Sequence, residues 1–205
     1  MGNNSFNDLK EYRRSGGGYN SSDKLFDWIF QDVIGVYENC SKLACFARCF
    51  TLLPFRITIQ FRFIQWMEKH CKCRWLVKLL AMCYSKRTAK LNCSLAPETQ
   101  IKAGLIFPHG FPLVINPKAV IGYNCIIYPG VQIGSSRTKS GAPVIGNNCF
   151  LGHGCHIIGN CKIGDWCFIS PGAFVCKDIP AGSVVGFGLN NIISNNGEEV
   201  VRLYL

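Results

Sequence analysis

Two hydrophobic periods divide the chain. From Asp23 to about Asn92 the apolar residues recur at helical spacing, and from Leu95 onward they recur at every sixth residue. In SSDKLFDWIF, Ser21, Ser22 and Asp23 are candidate N-caps ahead of Leu25, Phe26, Ile29 and Phe30 on one helical face. The run LACFARCFTLLPFRITIQFRFIQWM is apolar enough to suggest a membrane span, but Arg48, Arg56 and Arg62 interrupt it and Pro54 divides it. A central arginine costs about 2.5–3.5 kcal/mol on insertion scales. The run therefore reads as amphipathic helices. Packing against the rest of the protein or a neighbouring subunit is the favoured role, and resting on a membrane surface through interleaved aromatic and basic residues is the alternative.

The period of six is stricter. Its first register runs Leu95, Ile101, Phe107, Leu113, then slips by two residues and continues Ile115, Ile121, Ile127, Ile133. After the polar segment SSRTKSGAP it resumes in phase at Ile145, Leu151, Ile157, Ile163, Ile169 and Val175. Two residues before the next aliphatic position stands a small one: Ala119, Cys125, Val131, Cys149, Cys155, Cys161, Cys167, Ala173. A coil of three short parallel strands uses about eighteen residues, so each hexad supplies one strand and one corner. The aliphatic side chain points into a triangular prism, and the small residue fills the narrow corner. Glycines and Asn124, Asn147, Asn148 and Asn160 suit corners that need positive φ. The expected fold class is α+β, an N-terminal helical region followed by a parallel β-helix. Residues 1–92 form the helical part, with 1–22 polar and flexible; 93–190 form the prism, and 191–205 a C-terminal tail.

Composition narrows the partners. Only 17% of the 205 residues are charged against 48% hydrophobic, which supplies ample core and excludes a disordered chain. A net charge of +10 would suit nucleic acid, an anionic membrane or a phosphate-rich small molecule. The basic residues are scattered without a recognition motif, so nucleic acid is not an expected partner. The N-terminus lacks an apolar leader segment, so an unexported protein with reduced thiols is expected despite 13 cysteines. Cys149, Cys155, Cys161 and Cys167, with His153 and His156 among them, invite a metal reading. Their spacing of six instead assigns each to the small inward position, where free cysteine acts as a small hydrophobe. Zinc favours paired spacings, and the one close pair, Cys71 and Cys73, lacks matching partners. No metal is expected.

The runs AGLIFPHGFPLVINPKAVIGYNCIIYPGVQIGSS and PVIGNNCFLGHGCHIIGNCKIGDWCFISPGAFVCKDIPAGSVVG resemble the serine acetyltransferase family of hexapeptide-repeat acyltransferases. Within it they look closest to the branch found in bacterial exopolysaccharide and capsule biosynthesis. The likeness covers roughly Ser94 to Asn190. It implies a left-handed coil, transfer of acetyl from acetyl-CoA to a hydroxyl, and trimers or pairs of trimers with a site in the groove between adjacent prisms. The family's catalytic histidine falls on His109. The resemblance places pantetheine near Gly134, Ser135, Ser136, Gly154, Gly159, Gly172 and Ala173. Lys177 and Lys162, with Arg137 and Lys139 on the loop, are candidates for the nucleotide phosphates.

Departures from the family pattern bear on the acceptor. Pro108 stands where an aspartate precedes the histidine, Ser94 where a second aspartate orients it, and Gly141 and Ala142 where an Arg-His pair helps hold the amino acid. After GSVVG, Phe187, Gly188, Leu189 and Asn190 replace the usual V-P-A and basic residue. A zwitterionic acceptor needs charged partners, because desolvating its charges unpaired is costly; a neutral sugar hydroxyl does not. The expected function is O-acetylation of a sugar or glycan precursor at the cytoplasmic face of the membrane. Serine O-acetylation with a rebuilt pocket and a non-catalytic scaffold are the alternatives. Ser94 Oγ or a backbone carbonyl would orient His109. His153, at a hexad corner, is a surface histidine or a groove residue that helps bind the acceptor; His156 points outward.

Overall fold

The computed structural model describes residues 25–34, 53–137 and 140–205. The candidate caps Ser21, Ser22 and Asp23, as well as Arg48 and Lys139, lie outside the described residues. Among the described residues, three helices precede the repeats: α1 (Leu25–Ile34), α2 (Leu53–His70) and α3 (Arg74–Ala89). Pro54 stands in the first turn of α2, where its missing N–H has no intrahelical partner to lose, so it begins a helix rather than dividing one. Helix α2 buries Ile57, Phe61 and Ile64 in the same core as Leu95, Ile101 and Leu105 of the first coil. Those three side chains are thus spent on packing. No helix among the described residues is long and apolar enough to cross a membrane.

Arg62, which interrupts the apolar run, is wholly buried. Its Nε donates to Asp32 Oδ2 of α1 at 2.8 Å, and its Nη1 and Nη2 donate to the carbonyls of Ile101 and Lys102 at 2.7 Å each. Asp32 Oδ1 in turn accepts the backbone N–H groups of Gly104 and Leu105 at 2.8 Å each. One ion pair therefore lashes two helices to the first coil, with every partner hydrogen-bonded as a buried pair requires.

The repeats form a left-handed parallel β-helix of three faces. Face A stacks β1 (Cys93–Leu95), β3 (Leu113–Ile115), β6 (Gln132–Gly134), β9 (His156–Ile158), β12 (Ala173–Val175) and β14 (Gly188–Leu189). Face B stacks β2 (Gln100–Ile101), β4 (Val120–Ile121), β7 (Val144–Ile145) and β10 (Lys162–Ile163). Face C stacks β5 (Ile126–Ile127), β8 (Phe150–Leu151), β11 (Phe168–Ile169) and β13 (Val184–Val185), and ends in the antiparallel β15 (Ile192–Ser194). Ile115 pairs with Ile133 and Ile145 with Ile163, eighteen residues on in each case. Leu95 pairs with Ile115, twenty residues on, and Ile121 with Ile145, twenty-four on, because the loop 135–143 lies between.

That register corrects the reading of Leu113. It pairs with Cys93, at the small corner position, and does not close the first aliphatic register. The two extra residues therefore fall between Phe107 and Ile115, in the segment carrying His109. Asn124 and Asn148 adopt positive φ as expected, but Asn147 and Asn160 do not. Asn147 works through its side chain instead, accepting the Tyr123 N–H at 2.9 Å.

The six-residue spacing carries each cysteine to the next corner. Cys125, Cys149 and Cys167 stack on the corner between faces B and C, while Cys155 and Cys161 occupy the other two; all are essentially inaccessible. Burial pushes the Cys155 thiol up to about 12 and the Cys161 thiol up to about 11. Among the described residues, no group of three or more His, Cys, Asp or Glu is placed to hold a metal.

Residues 191–205 are more than a tail. After β15, helix α4 (Gly197–Arg202) lays Val201, followed by Leu205, on Ile106, Ile126 and Phe150, the outward residues of face C. That face is apolar on both sides and needs a cover.

Candidate active site

The corner between faces C and A gathers the residues of the candidate site. The chain reaches it through Phe107, buried in the prism, and leaves it through Phe111, packed against the same core; their rings lie 6.2 Å apart. Between them Gly110 takes φ +81°, and a Cβ there would stand 3.0 Å from Pro54 Cγ of α2. The Phe111–Pro112 peptide is cis, and the Pro112 carbonyl accepts the Gly130 N–H at 2.6 Å. Anchored on both sides and backed by α2, this short segment presents His109 to solvent.

The next coils add two more rings. Tyr128 and His153 follow β5 and β8, one rung apart, and rungs are about 4.8 Å apart. The His109 ring centroid lies 5.6 Å from Tyr128 and 6.0 Å from His153, and Tyr128 lies 4.4 Å from His153. Burial, with help from Tyr204, raises the Tyr128 pKa, so the phenol keeps its proton at neutral pH and remains a donor. Two imidazoles and a phenol on one open corner can accept a proton from a hydroxyl and donate hydrogen bonds to a nearby oxygen.

Residues 142–177 match the bacterial transferase hexapeptide family of six repeats. A serine acetyltransferase of Synechococcus elongatus is 32% identical over 106 residues, covering 51% of this chain and 43% of that protein. A serine acetyltransferase of Helicobacter pylori is 35% identical over 89 residues, covering 42% of this chain and 52% of that protein. The alignments thus span about half the length of the curated relatives. The fold is also that of the Neisseria gonorrhoeae serine acetyltransferase solved in complex with serine, with a TM-score of 0.70 at 20% identity over 91% of this chain and 82% of that one. Residues 142–177 carry bacterial transferase hexapeptide repeats, in a prism similar in sequence and fold to those of serine acetyltransferases.

In this domain the residues singled out from sequence fall into two groups. His109, His153, Gly154 and Gly172 share the corner between faces C and A; the Gly172 N–H donates to the His153 carbonyl at 2.9 Å. Gly134, Ser135, Ser136, Gly159, Lys177 and Arg137 lie along the opposite edge of face A, at the corner toward face B. Ala173 is fully buried, so its side chain belongs to the core and only its backbone reaches a groove. Ser94 points outward from β1, and the structure records no hydrogen bond between it and His109. The imidazole is flanked by rings instead. His156 is half-buried on the outside of face A, stacked 6.0 Å from Phe174.

Tyr128 was missed. Its signal was present: it occupies the same place in its hexad as Gly152, just after the aliphatic position, one coil from the histidine-bearing segment.

Proposed function

We propose that this protein transfers acetyl from acetyl-CoA to an alcohol hydroxyl, with His109 as general base. The observation that carries the reading is the exposed His109 held against Tyr128 and His153 on a rigid corner of a serine acetyltransferase-like prism. An alcohol is a weak nucleophile at neutral pH, and an imidazole can take its proton as oxygen attacks the thioester carbonyl. Collapse of the tetrahedral intermediate breaks the C–S bond, and the proton on His109 passes to the departing CoA sulfur. No covalent enzyme intermediate is needed. Tyr128, protonated, is suited to donate to the oxyanion or to a hydroxyl of the acceptor.

The two groups of site residues stand on opposite edges of face A, so one prism cannot bring them around one acetyl group. A trimer, alone or paired, would set the His109 corner of one prism beside the loop edge of the next. Pantetheine would then run along Gly134, Ser135, Ser136 and Gly159 of one subunit and Gly154 and Gly172 of its neighbour. Lys177, Lys162 and Arg137, near that edge, are the candidates for pairing with the nucleotide phosphates. Use of acetyl-CoA favours a cytoplasmic protein.

Serine is the acceptor that the relatives' names support. A neutral sugar hydroxyl is the second reading, favoured by one feature: the immediate chain neighbours of the three rings, Pro108, Gly110, Pro129, Gly152 and Gly154, offer no carboxylate or guanidinium to hold a zwitterion. CoA release from acetyl-CoA, measured with serine and with a panel of sugars, separates the two. His109→Ala lowers the rate about 10²–10⁴-fold. A CoA release that depends on no acceptor, and is unchanged in His109→Ala, would leave a non-catalytic scaffold.

A further inference from the structure

Helix α3 shows solvent a face that a free-standing helical layer would bury. Val77, Tyr84 and Thr88 point inward, while Trp75, Leu79 and Met82 are 69%, 43% and 49% exposed. At about 100° per residue, these three and Lys86 form one narrow strip along the helix. Arg74 and Lys78 border it on one side, and Cys83 and Arg87 on the other, all exposed. A cleft of about 110 Å³ lined by Phe63, Leu80, Cys83 and Arg87 continues the apolar surface onto α2. From Lys69 to Lys90 the chain carries seven lysines and arginines and no carboxylate.

An apolar strip edged by long cations is the layout of a helix lying in the plane of a bilayer interface, its rings and aliphatic groups in the acyl boundary and its cations at the phosphates. A second copy docked on this face would set cation against cation. A nucleic acid would leave Trp75, Leu79 and Met82 without an apolar partner. We infer that α3 docks this protein on an anionic phospholipid surface, with Trp75, Leu79 and Met82 entering the boundary and Arg74, Lys78, Lys86 and Arg87 meeting headgroup phosphates.

The test is co-sedimentation of the full chain with phosphatidylcholine vesicles, with and without phosphatidylglycerol. Binding is expected to rise at least about tenfold with the anionic lipid and to weaken with salt. Trp75→Glu with Leu79→Glu and Met82→Glu should abolish it, as should Lys78→Glu with Lys86→Glu. These exposed changes leave the prism intact, checked by unchanged circular dichroism and thermal unfolding. Equal binding to both vesicle types, no binding to either, or binding retained in both variants overturns the inference. So does a fall in particle mass by light scattering in the glutamate triple variant without any vesicle effect, which would make the strip an interface between copies of the chain. Binding of duplex nucleic acid that the triple variant preserves and Lys78→Glu with Lys86→Glu removes, with no vesicle binding, would assign the cations to a different polyanion.

Discussion

The prism and the helices beneath it are held by opposite means. In the prism, Ile121, Ile127, Ile133, Ile145, Leu151 and Ile157 repeat one burial, each inaccessible and each resting on the coils above and below. Such a stack is nearly one-dimensional, so stability is spread over many similar interfaces. Among the described residues, the helices meet it through a smaller apolar contact and a polar node, where Arg62 and Asp32 between them grip two carbonyls and two amides of the first coil and Gln65 holds the carbonyls of Pro97 and Thr99. Repetition tolerates a local loss. A node does not.

Replacing Arg62 is the most damaging test of that contrast. Arg62→Ala leaves the Asp32 carboxylate buried without its cation and strips the Ile101 and Lys102 carbonyls of donors, a loss of about 3–5 kcal/mol. Urea unfolding should show it, and hydrogen exchange should place it: amides of α1 and α2 open while those of β8, β9 and β11 stay protected. Uniform loss of protection would mean the node supports the prism as well. Replacing Arg62 by Met together with Asp32 by Leu should recover part of the loss, because no charge is then stranded. Ile157→Ala inverts the pattern. It costs about 2–5 kcal/mol through the cavity it leaves, and Ile157→Val about 0.5–1.5 kcal/mol. Its effect should concentrate in β6, β9 and β12, with exchange at α1 unchanged.

The same contrast governs what could be read from sequence. The prism was legible because its geometry repeats: a period of six admits few architectures, and Cys149, Cys155, Cys161 and Cys167 stand where Ala173 and Val131 stand. The corner asparagines were half legible, since Asn147 and Asn148 are adjacent and only the fold decides which one takes positive φ. The node was not legible at all. Asp32 and Arg62 are thirty residues apart, and the amides and carbonyls they bind lie some forty residues beyond Arg62. Arg62 looked like an interruption of an apolar helix, when it is what fastens that helix. In the candidate site, His109 was singled out through the family motif around it. Tyr128 and His153 became its neighbours only once the coil lengths were known, because Ile106 stacks on Ile126 twenty residues on, and Ile126 on Phe150 twenty-four on. The cover formed by α4 escaped notice because the outward residues of face C, Ile106, Ile126, Phe150 and Phe168, were absorbed into the repeat rather than counted as a second apolar surface.

Near neutral pH the smallest effect is that of the thiols, where it vanishes. Cys155 has an ordinary thiol pKa of 9 when unfolded and about 12 when folded, raised by burial. Below pH 9 both states hold the proton and stability is complete. As pH rises from 9 to 12 the unfolded thiol ionises first, the folded one still holds its proton, and stability falls by about 1.4 kcal/mol per pH unit for this group. Cys155→Ala removes that linkage, so the variant should match the parent closely near pH 7 and lose stability with a shallower slope above pH 9. Denaturant midpoints across that range measure it. Equal slopes in the two proteins would mean the thiol ionises as readily inside the prism as outside it, contradicting its place in a closed corner. Alkylation gives an independent check: exposed Cys83 and Cys176 should be modified in the native protein, whereas Cys149 and Cys155 should react only as fast as the coil opens.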